Sequence, residues 1–327
     1  MPIVLIYPEC NNPGDPECLI TLIDIILPVT TSTPSTCHLL CDRTDLQQLR
    51  AFLTTLSHEP NVGDFEEQIQ LTAIRSSMCT WKRTDALTAF AYVDSGNNLR
   101  FEIAPGHHTE GLEQEIMDWG IACMRQRNAR TGKEQTLDAS CRVDDAERLG
   151  FLKKFGFEQE SIRTLKYSHS LDKPIETFPF PEGFSMRCVT GEDEVEALVS
   201  LHRAAFGTDN MTIEERLAIM RALNYAPDLD LIALAPNGEL CAFCICGIEE
   251  GEKQAGTTDP IGTHQHYQRL GLGKAILSAG LRSIQVRGAV IAKLGTSSEN
   301  IPMQKLAERM GFVCVSENLW FSKKISR

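Results

Sequence analysis

The sequence predicts an α/β chain made of two tandem domains with one shared architecture. Three observations predict it. Turn-bounded apolar runs alternate with helical stripes along the second half. A Pro-rich segment, "SHSLDKPIETFPFPEG" (168–183), splits the chain into halves of similar length, and Pro174, Pro179 and Pro181 exclude a helix or a central strand there. The halves also end alike: "FLKKFGFEQES" and "LAERMGFVCVS" each give helix, Gly-Phe and strand, with Gly156 and Gly311 at the same place. The expected boundaries are an extension over 1–35, a first domain over 36–170, a linker over 171–183 and a second domain over 184–327.

In the second half "FSMRCVT" reads as a strand. "GEDEVEALVSLHRAAF" carries Val195, Leu198, Val199, His202 and Ala205 as a helical stripe. "TIEERLAIMRALNY" is a second helix, with Thr212 and Glu215 in capping-box spacing. "LDLIALAPNGELCAFCICGIEE" gives two strands around an Asn-Gly hairpin turn. "AGTTDPIGTH" is a further strand, and Pro260 and Gly262 predict a bulge in it. A helix then carries Leu272, Ile276, Leu277, Leu281 and Ile284 on one side. Strand "AVIAKLGTS", helix "IPMQKLAERMG" and "VCVSENLWFSKKI", one strand or a pair, complete the order.

The first half repeats that order with weaker signals. "CHLLCD" leads into helices "RTDLQQLRAFLTTLS" and "DFEEQIQLTAIRSS". Strands "ALTAFAYVDS" and "NNLRFEIAP", a long helix in "GLEQEIMDWGIACMRQR", strand "QTLDASC", helix "DDAERLGFLKKFG" and a closing strand follow.

With 42 % hydrophobic residues the chain can bury real cores, and a formal net charge of -12 opposes a nucleic-acid partner, since no dense Lys/Arg run offsets it. The 12 cysteines show no scaffold spacing. Cys241 and Cys244 in "ELCAFCICGIEE" face opposite sides of a strand, which suits a metal poorly. No metal is expected, and buried reduced thiols point to a cytoplasmic protein. "LITLIDIILPV" (19–29) is about half the length that spans a bilayer. Asp24 interrupts it and no Lys or Arg precedes it, so neither a membrane partner nor a signal peptide is expected. An extra strand or short helix on the first domain is expected there instead. Nothing in the sequence signals an oligomeric state.

The stretch "HYQRLGLGKAIL" (266–277) places Gly271 and Gly273 at the mouth of a helix. The first N–H groups of a helix lack internal partners, and with the helix dipole they form an anion site. Glycine lets a phosphate approach them, and Arg269 and Lys274 add positive charge. A tight structural turn is the alternative. A Walker A loop is excluded by Gln268 and Ala275, and a dinucleotide fingerprint by Ile276.

The pattern Gln/Arg-x-x-Gly-x-Gly, after a bulged strand and before a helix, resembles motif A of the GNAT superfamily of N-acetyltransferases. "SENIPMQKLAERMGF" resembles the family's later Asn-to-Gly-Phe segment. The resemblance covers nearly all of 184–327 and, more weakly, 37–170; the tandem arrangement, though not the substrate, is similar to that of mycothiol synthase. It implies in each domain a mixed, mostly antiparallel sheet flanked by helices. It implies acetyl-CoA, or another acyl-CoA, as co-substrate. Its pyrophosphate would lie on the 268–275 turn, against Gln268, Arg269, Leu270, Gly271, Leu272, Gly273 and Lys274. The pantetheine arm would pair with the backbone near Ile261 and Thr263, in a slot opened by the bulge. Asn300 matches a CoA contact of the family, or it caps a helix.

Aligned on the turns, the first half sets His108 on Gln268, Gly111 on Gly271 and Glu113 on Gly273, with Glu110 and Glu115 nearby. Acids there satisfy the helix mouth by themselves, with a dipole benefit of roughly 0.3–1 kcal/mol each. The first domain is therefore expected to be a degenerate copy that scaffolds, shapes the acceptor cleft or keeps a vestigial site rather than binding CoA as the second does.

Acetyl transfer to an amine needs a base, donors for the oxyanion and departure of the thiolate. Asp259, just before Pro260, is the first candidate base and Glu250 the second. Each also reads as a solvated surface carboxylate. His264 titrates near neutrality or caps the turn. Many family members place a Tyr acid where this chain has Ala307; Tyr267 sits too near the turn to replace it, which leaves water, Ser297 or Ser298. The leading expectation is an N-acetyltransferase acting on a small-molecule primary amine, with the second domain catalytic. A non-catalytic acyl-CoA sensor or binding module is the alternative. A modifier of proteins or nucleic acids is disfavoured by the acidity.

Overall fold

The computed structural model describes residues 36–39, 43–56, 62–83, 86–249 and 254–326. The extension over 1–35 and Glu250 lie outside the described residues. The first half holds β1 (Thr36–Leu39), α1 (Arg43–Leu53), α2 (Val62–Gln68), α3 (Thr72–Ser77), β2 (Cys79–Arg83), β3 (Ala86–Val93) and β4 (Leu99–Ile103). It continues with α4 (Glu110–Thr131), β5 (Leu137–Arg142), α5 (Ala146–Lys154) and β6 (Glu158–Ser170). The second half holds β7 (Ser185–Cys188), α6 (Val195–Phe206), α7 (Ile213–Arg221), β8 (Asp230–Leu234), β9 (Leu240–Glu249) and β10 (Ala255–Thr263). It ends with α8 (Leu272–Val286), β11 (Ile291–Ser297), α9 (Ile301–Arg309) and β12 (Val313–Lys323).

Local chemistry explains most of these limits. Thr212 and Glu215 form the expected capping box on α7. The β8–β9 hairpin turns at Asn237-Gly238, with Gly238 at φ 86°. Two elements differ from expectation. β2 carries the polar residues Thr80, Lys82 and Arg83, and its sequence shows no strand pattern. "DFEEQIQLTAIRSS" forms two helices, α2 and α3, because the chain turns at Gln70-Leu71. Of the two forms expected for "VCVSENLWFSKKI", the structure takes the single strand.

The two halves exchange their last strands. One sheet runs β1-β2-β3-β4, and the other runs β5-β12-β6-β11-β10-β9-β8-β7. β12 of the second half pairs antiparallel with β5 of the first, and β6 of the first pairs antiparallel with β11 of the second. β6 and β12 also pair with each other. Swapping β4 with β10, β5 with β11 and β6 with β12 leaves the central order unchanged, so a pseudo-twofold passes between β6 and β12. The cores follow the exchange. Phe321 of β12 is buried in the first half's core with Trp81 and Trp119, and Tyr167 of β6 is buried in the second half's core with Ile276 and Leu294.

Residues 171–183, expected as a linker, run as a strap across α8. Gln285 Nε2 donates to the carbonyls of Leu171 and Lys173, and Ser278 Oγ donates to that of Glu176. Ile175, Phe178 and Phe180 pack against the second core. Cys241, Cys244 and Cys246 are buried free thiols, and burial pushes the Cys241 thiol up to about 11. Cys79 departs from the expectation of reduced thiols throughout, because it is disulfide-bonded.

Candidate active site

β10 pairs with β9 along both its ends, but the register slips between Thr258 and Ile261, at the bulge expected from Pro260. Its pairing with β11 on the other side is parallel and covers only Ala255 to Thr257. Beyond Thr257 the two strands diverge. The β10 edge from Thr258 to Thr263, which includes Ile261, faces the resulting slot with main-chain groups not paired to β11.

The slot ends at the glycine turn. Arg269 and Gly271 sit at φ 63° and 91°, and Gly271 is the N-cap of α8 without a side chain to cap it. The N–H of Ala275 already donates to the Gly271 carbonyl and that of Gln268 to the Gln265 carbonyl. Those two amides leave the expected donor set, which narrows to Arg269, Leu270, Gly271, Leu272, Gly273 and Lys274. Gln268 instead ties the turn to β10 through its Nε2 and the Thr263 carbonyl. The Lys274 ammonium stands 3.5 Å from the centre of the Phe178 ring, on the strap.

Asn300 caps α9: its Oδ1 accepts from the Met303 N–H at 3.2 Å. The capping reading accounts for that oxygen. Tyr267 donates to Glu239 at 2.5 Å and so is held at the turn. His264 Nδ1 accepts from the His266 N–H, the capping role. Ala307 is fully buried, and no hydroxyl replaces the usual Tyr on α9. Ser297 and Ser298 accept from the N–H groups of Glu299 and Arg163.

Asp259 stands where β10 and β11 separate. Its Oδ2 accepts from the Gly295 N–H at 3.1 Å, so the carboxylate spans the apex of the slot. The residue is exposed to solvent, yet the cleft around it crowds its carboxyl with protein atoms. That crowding pushes its carboxyl up to about 6, against the lowering effects of the Gly295 N–H and of Lys166. Glu67 of α2, in the first half, is pushed up to about 7, chiefly by burial and then by Asp64, with Asp259 adding to the rise. α2 packs on α7, so the first half forms a wall of this cleft. Behind that wall, Arg216 of α7 pairs with Asp230 of β8, both nearly fully buried, and Tyr225 also donates to Asp230.

The corresponding place in the first half is closed. β4 and β5 also diverge, with no ladder between them beyond the single Asn98–Asp138 bridge just before β4. Arg148 of α5 crosses that gap: it donates to the Phe101 carbonyl at 2.8 Å and to Glu102 at 3.0 Å, with its guanidinium 4.0 Å from the Phe101 ring centre. The caps Asp145 and Asn300 align α5 with α9 and set Arg148 against Met303, which leaves the second slot open. The turn alignment needs a correction. α4 is capped by Thr109 and α8 by Gly271, so Gly111, not Glu113, takes the place of Gly273. The mouth of α4 nonetheless carries a side-chain cap, the Thr109 hydroxyl on the Leu112 N–H, and its first turn bears the negative charges of Glu110 and Glu113.

Residues 195–312 match the acetyltransferase (GNAT) family. The second half carries a GNAT domain. The mycothiol acetyltransferase of Arthrobacter sp. (strain FB24) is 28% identical over 161 residues, 47% of this chain and 50% of that protein. That of Salinispora arenicola (strain CNS-205) is 24% identical over 238 residues, 69% of this chain and 74% of the relative. The chain thus spans about half the length of the first of these curated relatives. A tandem GNAT protein from the clavulanic acid biosynthesis pathway has a TM-score of 0.65 at 13% identity, covering 89% of this chain and 98% of that one. A GCN5-related N-acetyltransferase from Sphaerobacter thermophilus has a TM-score of 0.61 at 19% identity, covering 86% and 91%. At these identities the likeness is one of fold, and it extends the GNAT architecture beyond the matched GNAT domain to both halves.

Proposed function

We propose that the chain transfers an acetyl group from acetyl-CoA to a small-molecule primary amine, and that the second half is the active one. One contrast carries the reading: the second half leaves a strand edge and an uncapped helix mouth beside one slot, while in the first half Arg148 crosses the gap, Thr109 caps the helix and two glutamates set negative charge in its first turn. The pantetheine arm would pair with the β10 edge near Ile261 and Thr263, and the pyrophosphate would lie on the amides of Arg269 to Lys274. β10 N–H groups at the bulge would receive the oxyanion. Asp259, at the apex and near neutrality, would take the proton of the incoming ammonium; Glu250 remains the second candidate. The thiolate would leave to solvent, since Ala307 offers no proton.

The mycothiol acetyltransferase names of the relatives support a small-molecule acceptor. Thiol release from acetyl-CoA, measured across a panel of small primary amines, tests the proposal. Turnover that disappears in Asp259→Asn is expected. Acetyl-CoA binding with no turnover for any amine would favour an acyl-CoA sensor, the reading that the empty Tyr position supports.

A further inference from the structure

The exchanged strand β6 runs beside β11 and sets Lys166 opposite Gly295. Gly295 has no side chain, and two groups use the space its Cβ would fill. Asp259 Oδ2 lies 3.3 Å from that point and Lys166 Nζ lies 3.4 Å from it. The ammonium and the carboxylate are thus no farther apart than those two distances laid end to end. Both stand on the sheet face away from α8, because the neighbouring Leu294 is buried in the core that α8 shares.

We infer that Lys166, carried into the second half's cleft by the last strand of the first half, is a positioning residue for the Asp259 base. This rests on the reading of Asp259 given above. The charge of Lys166 draws the carboxylate to the apex of the slot, beside the Gly295 N–H, and favours its ionised, proton-accepting form. The other groups facing Asp259 act the opposite way. They are Asp64 and Glu67 from α2; the Cys244 thiol of β9 feels Asp259 as well, but from the opposite, α8-facing side of the sheet. The nearby Lys293 on β11 is engaged with Glu249 of β9 at 2.6 Å. A base that works near neutral pH in this crowded place therefore needs a cation from the first half. The strand exchange supplies it, so the cleft of one half is completed by the other.

The test is the titration of Asp259 in the full chain, followed by carbon NMR of ¹³C-labelled aspartate carboxyls and assigned with Asp259→Asn. Lys166→Met is expected to raise the Asp259 midpoint by about one pH unit, and Lys166→Arg to restore it. The melting shift given by acetyl-CoA should remain in both variants, because neither touches the glycine turn. Should Lys166→Met fail to fold, Lys166→Gln reads the same midpoint. An unchanged midpoint in a folded, charge-removed variant overturns the inference. The midpoint is read without acceptor or turnover, so this failure is distinct from failure of the proposed activity, which appears as absent thiol release.

Discussion

Gly273 offers the sharpest test of the phosphate turn, because the fold and the ligand make opposite demands on it. A Cβ at this second residue of α8 would lie 3.4 Å from Leu306 Cδ2 and 3.7 Å from Thr263 Oγ1, ordinary contacts that the free protein tolerates. Alanine in a helix is favoured over glycine by up to about 1 kcal/mol, and a glutamate in the first turn also gains from the dipole. Gly273→Ala and Gly273→Glu should therefore melt no lower than the parent without ligand. The same Cβ points into the space between α8 and the open edge of β10, where the diphosphate is proposed to lie. At a hundredfold excess of acetyl-CoA over its dissociation constant, the parent gains about 2.7 kcal/mol, which moves a melt by several degrees. If the glutamate weakens binding a hundredfold, the same ligand concentration leaves about 0.4 kcal/mol. Thermal melts with and without acetyl-CoA read both effects: an equal or higher free melting point, a reduced shift for alanine and almost none for glutamate. A glutamate variant that keeps the full parental shift would refute the assignment of the turn.

Other outcomes follow from the same geometry. The Asp259 carboxyl is raised from 3.8 to about 6, so the folded chain binds that proton more tightly than the unfolded chain does; the resulting penalty on folding is absent below the unfolded value, builds as pH rises between the two and levels off above the folded one. Asp259→Asn should hence melt higher than the parent at pH 8 while losing about 10²-fold or more of thiol release, and equal melts across pH 4–8 would contradict the crowding. Arg216→Met leaves Asp230 buried and unpaired and should cost about 3–5 kcal/mol in urea unfolding, most of it recovered when Asp230→Leu is added. Residues 184–327 made alone should fail to fold or to respond to acetyl-CoA, because β11 loses β6 and β12 loses both partners; supplying 1–183 in trans should restore them. A fully responsive isolated half would show that the exchange is dispensable.

The sequence by itself determined what local chemistry controls. The repeat, the Asn-Gly hairpin, the Thr212 cap, the bulge at Pro260 and the bare helix mouth at Gly271 and Gly273 each depend on residues within one turn of one another. Only the tertiary structure decided which strands meet. β6 and β12 carry the same pattern whether they close their own half or the other, and pairing across more than a hundred residues leaves no mark in either stretch. For the same reason Lys166 read as an ordinary strand residue, Arg148 as a helix residue and residues 171–183 as a loose linker. Their significance lies in Gly295, Phe101 and α8, which the fold brings beside them. A backbone signals its own conformation through propensity, but a contact between distant segments is fixed by burying the whole sheet at once.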